Sequence, residues 1–175
     1  SNLRLIPTNF KSVDKMLEVK SIHGGELIQE RDLYTKEEFQ LMQGSSEDFD
    51  QELASFGVIM CKELKSNAIT LVLKEEDVCY QIGMGAGNPN RLVSVKQALE
   101  KAYENLEKKS SLLSQAYLIS DAFFPFRDNL DLLASLSPVK TIIEPGGSIK
   151  DDEVIAAAKE HKMNLYFTGK RHFKH

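Results

Sequence analysis

The last third of the chain alternates short apolar runs with amphipathic stretches, and this alternation restricts the fold more than any other feature. Residues 117–119 read as a strand, 129–136 as a helix, 139–143 as a strand, 151–161 as a helix and 164–167 as a strand. Strand–helix–strand order at this spacing calls for a largely parallel sheet with helices on its faces. Upstream, residues 91–106 carry Val95, Ala98, Leu99, Ala102 and Leu106 at helical period. Two β-rich runs, 68–73 and 78–82, precede that helix and flank the acidic turn 74–77. The expected class is therefore α/β, and 175 residues suffice for one domain with a sizeable core.

The first third is less regular. Residues 17–22 alternate apolar and polar, His23-Gly24-Gly25 turns the chain, and 27–29 return, which predicts a hairpin. Residues 35–42 and 48–64 carry apolar side chains at helical spacing and predict two helices, with Ser46 capping the second. Residues 107–111 are the most linker-like stretch. A net charge of −4 gives no reason to expect nucleic acid or an anionic membrane as partner. Cys61 and Cys79 form no CxxC and no zinc spacing, as expected of reduced thiols in a cytoplasmic protein. No apolar run approaches the ~20 residues of a membrane span. The chain opens on Ser1, as a processed, tagged or excised piece would.

Four segments are candidates for chemistry. Gly83-x-Gly85-x-Gly87 lacks the third glycine of a dinucleotide loop, since Asn88 stands there, and no GKS or GKT makes it a phosphate-binding loop. It leads into Asn90-Arg91 at a helix start, which suits a phosphate or carboxylate. A plain strand-to-helix turn accounts for the same glycines. Glu144-Pro145-Gly146-Gly147-Ser148 opens a helix with Ser148 and Asp151 spaced as a capping box; its N–H groups would serve a ligand or only the helix. Residues 120–128, Ser-Asp-Ala-Phe-Phe-Pro-Phe-Arg-Asp, follow a strand where parallel sheets place ligands. Aromatic faces beside an Arg and two Asp suit a flat heterocycle; a hydrophobic plug or a subunit contact is the alternative. The basic C-terminus, Thr168-Gly169-Lys170-Arg171-His172-Phe173-Lys174-His175, is either solvated or an ordered anion contact anchored by Phe173.

Taken together, SDAFFPFRD at 120–128, PGGS at 145–148, DEVIAA at 152–157 and TGKRHFKH at 168–175 resemble the end of the AICAR transformylase/IMP cyclohydrolase family. KSNAI at 65–69 and IGMGAGNPNR at 82–91 resemble the same family in the same order. The resemblance covers most of the chain, with 65–175 the core and 1–64 a less certain lead-in. It implies a lobe of the transformylase domain with a three-layer α/β/α, cytidine-deaminase-like fold, a mixed and largely parallel sheet, and no zinc. The implied activity is formyl transfer from the co-substrate 10-formyltetrahydrofolate to AICAR in purine biosynthesis, by a dimer with sites between subunits. By resemblance Asn67, Arg91, Phe123 and Arg171 contact AICAR, while Leu92, Asp128, Ser148 and Ile149 line the folate side.

The departures from the family pattern are specific. Its catalytic Lys–His pair belongs to a first lobe in a motif ending Asn-Pro-Cys-Gly, which nothing here matches, and the cyclohydrolase domain has no counterpart. Asn88-Pro89-Asn90 stands where the family more often has Gln, a short residue and Ser. No catalytic residue is therefore assigned to this chain, and the isolated chain is expected to have negligible transferase activity. The catalytic lobe is expected from a missing N-terminal part, a separate chain or a partner subunit. Two other readings stand beside this one, a binding module for purine nucleotide or folate without chemistry, and an inactive fragment.

Overall fold

The computed structural model describes residues 17–33 and 37–174. The chain divides into two compact units, Ser1–Thr35 and Lys36–His175. In the first, β1 (Leu17–Ile22) and β2 (Gly25–Glu30) form the expected antiparallel hairpin, with Val19 opposite Ile28 and Lys20 opposite Leu27. Gly24 makes its turn at φ +81°, where a side chain would be strained.

The second unit is a six-stranded mixed sheet with helices packed against it. In chain order it comprises β3 (Gln40–Gln43), α1 (Gln51–Lys62), β4 (Ile69–Glu75), β5 (Val78–Gly85), α2 (Arg91–Leu106), β6 (Tyr117–Ser120), α3 (Asp128–Leu136), β7 (Thr141–Glu144), α4 (Asp151–Glu160) and β8 (Asn164–Phe167). The strand order is β3-β8-β7-β6-β4-β5. The β6–β7 and β7–β8 pairs are parallel, as the strand–helix–strand pattern requires, while β3, β4 and β5 add antiparallel pairs on either side. Ile69, Leu71 and Leu73 of β4 share one core with residues of α2, α3 and α4. Alternate residues face the other way. Val72 and Ile119 meet Gly57 of α1, where an added Cβ would lie 2.4 Å from the Ile119 Cδ1. One helix on one face and three on the other make three layers.

Three local expectations are corrected. The helix expected over 35–42 falls partly on residues outside those described, and Gln40–Gln43 is the edge strand β3, paired to β8. The three-residue separation of Phe39 and Met42 puts them on one face of a helix but on opposite faces of a strand. Docking against β8, with the Phe39 ring 5.4 Å from that of Phe49, decides for strand. The second helix starts at Gln51, capped by Asp50 rather than Ser46, because the Asp50 carboxylate accepts from Leu53 N–H at 2.9 Å. Lys74 Nζ holds the other Asp50 oxygen at 2.9 Å and makes it the better-anchored cap. The stretch read as a linker is a 3-10 segment, Glu107–Gln115, which drives Leu113 fully into the core.

Candidate functional site

β6, β7 and β8 end on the same side of the sheet, and that side also receives the start of α2 and the loop before β4. Five segments thus converge where open α/β sheets place ligands. At their centre is Asp121, directly after β6 and fully buried. One carboxylate oxygen accepts from Arg91 Nη2 at 2.7 Å, the other from Ser66 Oγ at 2.5 Å. Its backbone N–H bonds Ala68 O, and its carbonyl accepts from His172 N–H at 2.9 Å. Helix α2, the loop before β4 and the C-terminal tail therefore meet on one residue.

Asn67 lies beside this centre, after a cis Ser66–Asn67 peptide. Its amide donates to Asn88 O at 2.9 Å, and its carbonyl accepts from Ser94 Oγ at 2.8 Å. Gly87 N–H bonds Lys65 O, so the loops 65–67 and 87–88 are zipped together. The glycines split in role. Cβ atoms on Gly83 and Gly85 would lie 2.1 Å from Ala98 O and Ser94 O respectively, so both exist to let β5 touch α2. Neither supplies a turn conformation, since both stand within β5; of the three only Gly87, at φ +68°, meets the plain-turn account.

Phe123 faces the C-terminal tail. The Arg171 guanidinium carbon sits 4.6 Å from the Phe123 ring centroid, and Arg171 Nη2 reaches Gly147 O at 3.4 Å. Arg91 Nη1 approaches Phe123 O at 3.4 Å. The structure thus gathers Arg91, Phe123 and Arg171 with Asn67 at one end of the sheet, through Asp121 and the tail. The folate-side set divides. Leu92 and Asp128 line one open cavity of about 400 Å³ together with Lys96, Asp131, Leu132 and Ser135. Ser148 and Ile149 belong to the loop before α4, where Ile149 is fully exposed. Asp151 organises that loop, accepting from Gly147 N–H at 2.8 Å and Ser148 N–H at 2.9 Å. This is half of the expected capping box; Ser148 Oγ accepts from Lys150 N–H instead.

Two acidic residues lacked a signal strong enough to assign them a role from sequence. Asp121 stood inside a quoted motif, yet only its burial reveals its part. Glu144, at the end of β7, is fully buried, and its Oε2 accepts from Phe124 N–H at 2.6 Å. Burial pushes its carboxyl up to about 8; the Phe124 bond and Arg91 oppose the shift while Asp151 adds to it. Among the described residues, Arg91 Nε, Glu144 Oε1 and Asn129 Oδ1 are buried without a hydrogen-bond partner. All three flank the Phe-rich loop, and unsatisfied buried groups concentrate where function or ligand supplies the partner. The one signal available was positional, an acidic residue just past the C-terminal end of a buried strand.

Size does not mark this site. A cavity of about 580 Å³ lies at the opposite ends of the strands, lined by Tyr117, Thr141 and Asn164 among others. Its two lysines are engaged, Lys74 with Asp50 and Glu52, Lys140 with His161 O. A third cavity of about 590 Å³ lies beside β5 and the 3-10 segment. Both carry aromatic rings and lysines, Phe49, Tyr117 and Tyr166 with Lys74 and Lys140 in the first and Tyr80 with Lys108 and Lys109 in the second, but no arginine lines either. Among the described residues no group of three or more His, Cys, Asp or Glu side chains could hold a metal ion, and no helix is long and apolar enough to cross a membrane.

Fold and site together define an α/β domain in which two arginines, an amide loop and an aromatic face meet at one end of the sheet. A family model described as AICARFT/IMPCHase bienzyme matches residues 1–101, and the chain belongs to that family. Its relatives include proteins called bifunctional purine biosynthesis protein PurH. The one from Leptospira biflexa is 40% identical over 180 residues, covering 99% of this chain and 33% of its own length. That of Leuconostoc citreum is 42% identical over 178 residues, with 99% of this chain and 33% of its own length covered. That of Persephonella marina is 40% identical over 180 residues, covering 99% of this chain and 32% of its own length. The chain spans about a third of the length of these relatives.

Proposed function

We propose that this chain supplies the substrate-binding part of an AICAR transformylase site in purine biosynthesis, in a cytoplasmic enzyme that is a dimer. The reaction is formyl transfer from 10-formyltetrahydrofolate to AICAR. The observation that carries the reading is the gathering of Asn67, Arg91, Phe123 and Arg171 at one end of the sheet around a buried Asp121. Arginine forks and an amide suit the carboxamide and phosphate of a nucleotide, and Phe123 suits its ring. The groove of Leu92 and Asp128 and the Ser148–Ile149 loop take the folate.

The amine of AICAR is a weak nucleophile, so transfer needs a placed base and stabilisation of a tetrahedral oxyanion. In this proposal a Lys–His lobe supplies the proton transfer from elsewhere in the full enzyme or from another chain. This chain holds the acceptor substrate still and contributes positive charge beside it.

Calorimetric titration of the chain with AICAR, and separately with a folate analogue, tests the reading. Binding that Phe123→Ala and Arg171→Ala each weaken at least tenfold supports it. Binding that ignores both substitutions overturns the site. A second reading, a binding module without chemistry, draws support from the Asp121 carboxylate, both of whose oxygens are satisfied by side chains of this chain. Adding a chain that carries the Lys–His lobe separates the two, since only the enzyme part gains formyl transfer.

A further inference from the structure

We infer that Asp121 is the positioning residue of this site and sets both of its arginines. The inference deepens the proposed function, because the ligand it concerns is the one proposed for that site. Asp121 is fully buried, and a buried carboxylate persists only when paired and hydrogen-bonded. Its pairing is selective. Arg91 Nη2 lies 2.7 Å from one oxygen, whereas the Nη1 contact with Phe123 O is 3.4 Å and Nε has no partner. A guanidinium carries five N–H donors in a rigid fork, so one strong bond orients it while Nη1 is only weakly engaged and Nε is unpartnered. Asp121 thus orients Arg91 without consuming it.

The second arginine is set through the backbone. The Asp121 carbonyl accepts from His172 N–H, which fixes the tail immediately after Arg171. Ser66 bonds the Asp121 carboxylate through Oγ, and its own backbone and hydroxyl hold Lys174 of the same tail. Arg171 therefore reaches Phe123 from a strand of chain tied down at Asp121. The side chain of Asp121 serves Arg91 and its main chain serves Arg171, which makes the two separable by substitution.

Asp121→Asn keeps the volume and the backbone bonds and removes the negative charge that pairs Arg91, leaving only the weaker acceptor of a neutral amide oxygen. The first measurement needs no ligand. In side-chain 15N NMR of the whole chain, the Arg91 guanidinium gives resolved, exchange-protected signals that collapse to an averaged, fast-exchanging signal in Asp121→Asn. An unchanged Arg91 signal overturns the inference. The second is AICAR titration. Asp121→Asn weakens affinity by about ten- to a hundredfold, the range of a charged hydrogen bond. Adding Arg91→Met to Asp121→Asn costs nothing further, because an unpositioned arginine no longer contributes. A further tenfold loss in the double variant shows that Arg91 acts independently and overturns the inference. Adding Arg171→Ala to Asp121→Asn costs as much as in the parent chain, because the backbone anchor survives; a smaller loss overturns the separation of roles. A parent chain with no affinity for AICAR refutes the proposed function, and the NMR measurement then decides the inference by itself.

Discussion

Glu144→Gln tests the buried carboxyl by the pH dependence it imposes on folding. The Glu144 side chain is fully buried with Phe124 N–H as its hydrogen-bond partner, and burial raises its pKa from 4.5 to about 8. An unfolded chain releases this proton near 4.5, while the folded chain keeps it to about 8. Between those values the native state binds more protons, so stability is full below the lower value and falls as pH rises through the window. At about 1.4 kcal/mol per pH unit the loss attributable to this one group is about 5 kcal/mol. For a chain of this size that is a fall of roughly 10–20 °C in Tm. Asp131, which Arg127 holds down to about 2, acts in the opposite sense and only in acid, outside this window. The assay is urea unfolding of parent and Glu144→Gln chains at pH 5, 6, 7, 8 and 9. Gln retains an acceptor for Phe124 N–H and cannot titrate, so the variant gains steadily on the parent between pH 5 and 8 and then levels off. Two curves that stay parallel across the range refute the reasoning.

Gly83→Ala forces a Cβ to 2.1 Å from Ala98 O, a backbone atom that moves only if β5 and α2 separate. It is expected to destabilise by about 1–3 kcal/mol, read as a lower urea midpoint at unchanged slope, and an unchanged midpoint refutes the packing role of this glycine. Leu113→Ala removes a fully buried side chain from the 3-10 segment and is expected to cost about 2–5 kcal/mol. A loss below about 0.5 kcal/mol, the range of surface positions, would mean the segment behaves as a linker after all.

Periodicity made the second half of the chain legible. Helix α2 begins and ends where the apolar repeat of 91–106 says, and β8 occupies 164–167, because in both the local pattern and the tertiary partner agree. The misread element fails that condition. Residues 35–42 have helix-forming composition, and what makes 40–43 a strand is β8, which pairs Gln40 with Phe167 far along the chain. The glycines of 83–87 were ambiguous for a related reason. An anion-binding loop and a plain turn call for the same glycines, and Gly83 and Gly85 serve a third need, close contact of β5 with the backbone of α2 at Ala98 O and Ser94 O. Arg91, Phe123 and Arg171 were singled out through their motifs, and the structure brings them to one end of the sheet, but the residue bonded to Arg91 was not, since nothing local distinguishes a solvated Asp from a buried one. Asp121 and Glu144 occupy the same kind of position, the first acidic side chain past or at the end of a buried strand in a parallel pair. Their fates diverge through partners. Asp121 has a guanidinium at 2.7 Å, while Glu144 has a neutral N–H and an oxygen without any partner. An acid at a strand end thus becomes an anchor for a cation or a group that keeps its proton, according to whether a neighbouring helix delivers an arginine there.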